Sequence, residues 1–260
     1  KSTTTKFIQS SLFLKKKKVI ACGNIGLPIG DVIKKSCSND IFVIEASSFQ
    51  LDKILSLKFD ISILLNISKD HLDWHGNFRN YINSKLNIFK NQNKSCFSII
   101  CIDDSNCRKI AQTFRKHFSS KLIKISTKQK IRDGVYLEYQ KEGVIIVNQL
   151  SNEKIFFDYN KLMFTKVKHN FENFLATYVV NFLLKKNEKQ FKHSLKKIIG
   201  LEHRLEFVGK FKNIFFYNDS KATNIESSRN AINSFKNIYW ILGGRKKLDG
   251  LKGIDNSLKY

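Results

Sequence analysis

Proline is nearly missing from this 260-residue chain, with Pro28 the only one. No proline-rich linker therefore marks a boundary, and no segment repeats another. No apolar run reaches the ~18–20 residues of a membrane-spanning helix, so the sequence offers no membrane partner. Cysteine is sparse too: Cys22, Cys37, Cys96, Cys101 and Cys107 make an odd set with no C-x-x-C pair. That pattern argues against a paired-thiolate zinc site and against a secreted disulfide framework, and it fits reduced thiols in a cytoplasmic protein. Arginine is scarce, at seven of the 46 basic residues. Base-specific readout leans on arginine forks. The net charge of +24 rests on lysines spread along the whole length, which describes a solvated basic surface and predicts no specific nucleic-acid partner. Phosphate groups remain welcome on such a surface.

The composition is otherwise ordinary, 42% hydrophobic and 26% charged, with length for one large or two modest domains. The chain opens at Lys1, inside a motif, and stops at Tyr260 soon after a strand-like run. This predicts a fragment lacking sequence at both ends and catalytically silent by itself. Short apolar runs alternate with helical patterns, as in a largely parallel α/β sheet. Strands are expected at Val19–Cys22, Ile41–Glu45, Ile61–Ile67, Phe97–Ile102 and Leu122–Ile125, with amphipathic helices at Arg79–Phe89 and Ser105–Phe118. A period of two around Val135–Val147, broken at Lys141-Glu142-Gly143, predicts a β-hairpin. Helices are expected at Asn170–Leu184 and Gln190–Ile199, the second closed by Gly200. Beyond a boundary near Gly200–Glu202, strands are expected at Leu205–Val208, Ile214–Tyr217 and Ile238–Leu242, and a helix at Ile225–Phe235.

Several segments carry possible chemistry, each with a plainer alternative. Lys1-Ser2-Thr3 matches the tail of a phosphate loop, where the lysine reaches phosphates and the hydroxyl holds magnesium, but any such tripeptide would match. Gly23-Asn24-Ile25-Gly26 follows a strand, at the edge where α/β proteins bind ligands, or is a tight turn. Glu45 ends a strand before Ala46-Ser47-Ser48-Phe49-Gln50. A carboxylate there suits a hard cation such as Mg²⁺, or faces solvent. Asn66–Gly76 reads N-I-S-K-D-H-L-D-W-H-G. Its His71 could serve as ligand or proton carrier oriented by Asp70 or Asp73, and the spacing is not that of a zinc motif. Asn170 and Asn173 share a helix face and could read an adenine edge, or cap the helix. Asn218–Asn224 places Lys221, Thr223 and Asn224 at a helix start, a ready carboxylate or phosphate site. Gly243-Gly244-Arg245-Lys246-Lys247 adds cations after a further expected strand.

In this order the segments resemble the Mur ligase family, from Lys1 to about Asp249. G-K-S/T-T meets Lys1–Thr3, and G-N-I-G-x-P meets Gly23–Pro28. E-x-S-S-F-Q meets Glu45–Gln50, while D-H-L-D-x-H-G with its trailing lysine meets Asp70–Gly76 and Lys85. H-N-x-x-N meets His169–Asn173, and G-x-x-H-R meets Gly200–Arg204. The resemblance implies a central P-loop-type ATPase domain with a mostly parallel sheet over 1–201. The first part of a Rossmann-like C-terminal domain would follow over 202–260. It also implies ATP, two Mg²⁺ ions and a monomer. Lys1, Ser2 and Thr3 would hold ATP phosphates, Asn170 and Asn173 the adenine, and Arg204 and Asp219 would lie near the ribose and phosphates. Ser2, Glu45, His71 and a carbamylated Lys85 would serve the metals, with Lys85, His71 and Lys247 catalytic. Lys246 competes with Lys247 for the last role. D-S-K-A-T-N at Asp219–Asn224 resembles the members that add D-glutamate to UDP-N-acetylmuramoyl-L-alanine. Lys221 and Thr223 would then grip D-glutamate, and Asn24 and Ser47 would line the substrate site. The alternatives are a family member adding a diamino acid or extending folate with glutamate, and a lysine-rich nucleic-acid-binding domain.

Overall fold

The computed structural model describes residues 1–12, 17–161, 170–195, 202–223, 225–244 and 254. Of the residues singled out above, His169, Gly200, Asn224, Arg245, Lys246 and Lys247 lie outside these. Contact density divides the chain into two compact units. One is Lys1–Met163 with Phe171–Ile198, and the other is Phe164–Asn170 with Ile199–Tyr260.

In the first unit, β1 (Val19–Gly23) and β2 (Ile41–Glu45) pair in parallel, with Gly23 opposite Glu45. Helix α1 (Ser2–Ser11) packs on both strands and buries Phe7 and Ile8, and α2 (Ile29–Ile33) lies in the connection between β1 and β2. A second sheet has six strands in sequence order: β3 (Ile61–Leu64), β4 (Phe97–Cys101), β5 (Lys121–Ser126), β6 (Gly134–Tyr139), β7 (Gly143–Asn148) and β8 (Glu153–Asp158). β3 to β6 run parallel, and β6–β7–β8 is an antiparallel meander. Parallel neighbours need a crossover. Here the connection between β3 and β4 carries α4 (Leu72–His75) and α5 (Phe78–Leu86), and that between β4 and β5 carries α6 (Ser105–His117).

Local chemistry explains these helices. Asn77 and Asp104 cap α5 and α6 by accepting from the backbone N–H groups of Asn80 and Cys107. The last turn of α6 carries Arg115, Lys116 and His117, which favour the negative end of the helix dipole. The inner faces of α5 and α6 meet β3 and β4 in a cluster of Leu64, Ile67, Tyr81, Phe89, Ile100, Cys107, Ala111 and Phe114. Helix α7 (Asn170–Leu183) is buried continuously from Asn173 to Asn181, as expected of a helix apolar on most sides, and α8 (Glu188–Leu195) follows it. Among the described residues no helix is long and apolar enough to cross a membrane.

In the second unit, β9 (Glu206–Phe211) and β10 (Ile214–Asn218) form an antiparallel pair with an irregularity between Phe216 and Tyr217, and α9 (Ile225–Ile232) follows. The strand expected over 238–242 does not form. Among the described residues nothing pairs with it, and Tyr239 and Ile241 are 92% and 96% exposed. A strand is held by its ladder, so an apolar run without a neighbour stays irregular. β3 stops at Leu64 rather than Ile67, and α9 at Ile232 rather than Phe235. β8 was not expected. Its burial alternates only over Ile155 to Phe157, which leaves a short signal.

Candidate active site

The first unit gathers most of the singled-out residues where α1 begins and β1, β2 and β3 end. Gly23 adopts φ +101°, and a Cβ there would lie 2.5 Å from the Glu45 carbonyl oxygen. Only glycine fits this crossing, which explains the first residue of G-N-I-G. The turn lets the Asn24 backbone N–H donate to the Glu45 carbonyl at 2.8 Å, while Asn24 Nδ2 donates to Glu45 Oε1 at 3.1 Å. Lys1, at the N-cap of α1, brings Nζ to 4.0 Å from the same oxygen. Glu45 is 3% exposed, and its Oε2 accepts no hydrogen bond. A buried carboxylate oxygen without a donor is costly unless a cation takes it. The donor chemistry at Glu45 therefore fits a hard divalent ion.

After β3, the chain turns through Asp70 and His71. His71 holds a left-handed backbone (φ 52°), a strained choice for a non-glycine residue and one that clusters at functional sites. Asp70 accepts from the His71 backbone N–H at 3.1 Å, and Asp70 Oδ2 lies 3.6 Å from His71 Nε2. Lys85, on α5, is 9% exposed, with Nζ 4.9 Å from the Tyr81 ring centroid. Burial pulls its ammonium down to about 8, the charge of Lys1 pulls the same way, and Cys107 and Asp70 oppose. A neutral amine is therefore accessible near physiological pH, unlike that of an ordinary surface lysine.

Other residues turn out to be locally engaged. Ser47 caps α3 (Ser48–Asp52): its Oγ accepts from Gln50 N, and Gln50 Oε1 accepts from Ser47 N. Asn173 Oδ1 accepts from Thr4 Oγ1 at 2.7 Å, tying α7 to α1. Spacing along the sequence gave no sign of one further group. Cys101 Sγ, Asp103 and Glu172 bring ligand atoms within 4.8 Å of one another at the end of β4 and the start of α7. Burial pushes the Glu172 carboxyl up to about 7, with Asp103 adding to the rise, although Asn66 Nδ2 donates to it. Asp103 is held by the Ser126 hydroxyl and by the Thr127 backbone N–H and hydroxyl.

In the second unit, Asp219 Oδ1 accepts from the Leu205 N–H, and burial raises the Asp219 carboxyl against the pull of Arg204. The Lys221 backbone N–H donates to the His203 carbonyl, closing the turn before α9 and leaving Lys221 and Thr223 exposed.

Residues 1–181 match the Mur ligase middle domain. The chain belongs to the Mur ligase family. Its relatives include the UDP-N-acetylmuramoylalanine–D-glutamate ligase of Rickettsia prowazekii, 37% identical over 254 residues, 98% of this chain and 55% of that one. The ligase of the same description from Natranaerobius thermophilus is 35% identical over 249 residues, 95% of this chain and 52% of that one. This Mur ligase chain thus spans about half the length of the relatives it matches. In fold it resembles the MurF ligase of Thermotoga maritima solved in complex with ADP (TM-score 0.64, 18% identity), over 89% of this chain and 54% of that one. A MurF of Acinetobacter baumannii gives a TM-score of 0.67 at 15% identity, over 90% of this chain and 51% of that one.

The structure places Lys1, Asn24 and Glu45 in direct contact and sets Lys85 within the electrostatic reach of Lys1 and Asp70. Ser2 and Thr3 fall in the first turn of α1, where phosphates bind helices well.

Proposed function

We propose that this chain carries the ATP-binding domain, over 1–201, and part of the amino-acid-binding domain, over 202–260, of an ATP-dependent cytoplasmic ligase. The ligase would join D-glutamate to UDP-N-acetylmuramoyl-L-alanine in peptidoglycan precursor synthesis. The observation that carries the reading is the pairing of Lys1 with the buried Glu45, whose Oε2 has no hydrogen-bond partner, beside a helix start. It is supported by relatives of that description matched over nearly the whole chain.

A carboxylate is a poor electrophile, so the L-alanine carboxylate is first phosphorylated by ATP to an acyl phosphate, which the D-glutamate amine then attacks. Lys1 and the N-terminal amides of α1 bind phosphate oxygens, and Asn170 and Asn173 would contact the adenine. Arg204 and Asp219 serve the ribose and phosphates. Ser2, Glu45, His71 and a carbamylated Lys85 would hold two Mg²⁺ ions, which when bound neutralise the crowded phosphate charge. The depressed Lys85 ammonium gives the neutral amine that CO₂ requires. Asn24 keeps Glu45 oriented, and Ser47 holds α3 against the substrate side. Lys221 and Thr223 bind the D-glutamate carboxylates, with Lys247 as a further cation. Expressed at the full length of its relatives, Lys221→Ala is expected to raise KM for D-glutamate by about 10–100-fold, the loss of one charged hydrogen bond. The KM for ATP should hardly move. Equal losses for all substrates would contradict the assignment.

A further inference from the structure

The second histidine of the 66–76 segment, His75, has no part in the roles above, yet it is buried and fully engaged. Its Nε2 lies 3.0 Å from Ser48 Oγ, and its Nδ1 lies 3.3 Å from Ser84 Oγ. Ser84 Oγ also lies 2.9 Å from Asp52 Oδ1, to which it donates. A hydroxyl has one proton and a carboxylate only accepts. Ser84 directs its proton to Asp52, so it must accept from the ring, which puts the ring proton on Nδ1. In the Nδ1–H tautomer Nε2 carries only a lone pair, to which Ser48 donates. For that tautomer the three bonds run from Ser48 to His75, from His75 to Ser84 and from Ser84 to Asp52.

The chain of bonds links three elements. Ser48 and Asp52 bracket α3, His75 ends α4, and Ser84 lies on α5 directly before Lys85. Two further bonds tie the same region together, from Asn80 Nδ2 to the His75 carbonyl at 3.0 Å and from Asn87 Nδ2 to the Leu51 carbonyl at 3.2 Å. Phe49 stacks on the His75 ring at 5.6 Å, and the Tyr81 ring lies tilted against it at 5.4 Å. We propose that His75, as its Nδ1–H tautomer, is a positioning residue that fixes α5 against α3 through a one-way hydrogen-bond chain and so holds Lys85 at its place in the site. The proposal rests on the reading of Lys85 as the residue that takes up CO₂.

Two measurements test it on this chain. Nitrogen-15 NMR of the histidine rings at neutral pH should find His75 protonated on Nδ1 and bare on Nε2. Carbon-13 bicarbonate should give a carbamate signal that disappears in Lys85→Arg. In His75→Phe its occupancy should fall about fivefold, the factor one neutral hydrogen bond is worth. His75→Asn, whose amide N–H replaces the Nδ1 donor, should recover most of it with far-UV circular dichroism unchanged. A proton on Nε2, or unchanged carbamate in a folded His75→Phe, would overturn the proposal. A wild-type chain that takes up no carbamate would strike the reading of Lys85 instead, and the tautomer would still decide the role of His75.

Discussion

At the scale of single residues, the site includes ionisable groups withdrawn wholly or partly from water, and two of these have consequences for stability. Lys85 titrates in the folded chain near 8, below its unfolded value of about 10.4. The folded state therefore prefers the neutral amine, and Lys85 weakens the fold most below pH 8, where it is charged in both states. This burden is relieved as pH rises from 8 towards 10.4. Lys85→Met is expected to stabilise the chain by up to about 3 kcal/mol at pH 7, an advantage that shrinks above pH 8. Denaturant unfolding at several pH values measures it. Glu172 is shifted the other way for a carboxyl, up to about 7. The folded state holds its proton more tightly, so this contribution is present below about pH 4.3 and is lost as pH rises through 7. Glu172→Gln should match the wild type near pH 4 and exceed it by about 3–4 kcal/mol at pH 8. Equal stabilities across that range would mean that water or a cation compensates the carboxylate.

At the scale of elements, tight turns and caps set the site. Gly23→Ala would place a methyl against the Glu45 carbonyl in a backbone region closed to alanine. The expected cost is about 2–4 kcal/mol, read as a fall in Tm, with loss of phosphate binding at α1. Ser47→Ala, which removes only a cap, should cost about 1 kcal/mol. Most of this layer is legible in the residues. β2 occupies its expected span Ile41–Glu45, and β1, β4 and β5 differ from expectation by a residue or so, because each is a branched apolar run bounded by turn residues. The β6–β7 hairpin follows from its period of two. The missing strand at 238–242 illustrates the limit: an apolar run states a preference, and only a partner strand realises it. The order of motifs likewise singled out Lys1, Glu45 and Lys85, which lie at the start of α1, the end of β2 and on α5. It could not announce the bonds from His75 to Ser48 and Ser84, or Glu172 beside Asp103, because those pairings join positions far apart along the chain.

At the scale of the whole molecule, the two units differ in how much they bury. The six-stranded sheet of the first carries Ile99, Ile100, Ile125 and Ile146 at full burial, whereas in the second Phe207, Val208, Phe211 and Phe215 are more than half exposed. Local opening tracks such differences. Hydrogen exchange should therefore release the amides of β9 and β10 well before those of β4 and β5, and equal protection would contradict this ranking. The charge of +24 predicts nucleic-acid binding of the non-specific kind only, lost between about 50 and 200 mM salt. The central claim is that the buried lysine and carboxylate belong to a D-glutamate-adding ligase. The most direct measurement is phosphate release by the protein expressed at the full length of its relatives, given ATP, Mg²⁺, UDP-N-acetylmuramoyl-L-alanine and one amino acid at a time. Release that depends on D-glutamate, and not on L-glutamate, lysine or a diamino acid, is the predicted result. Release driven equally by a diamino acid, or independent of the nucleotide precursor, would contradict the account.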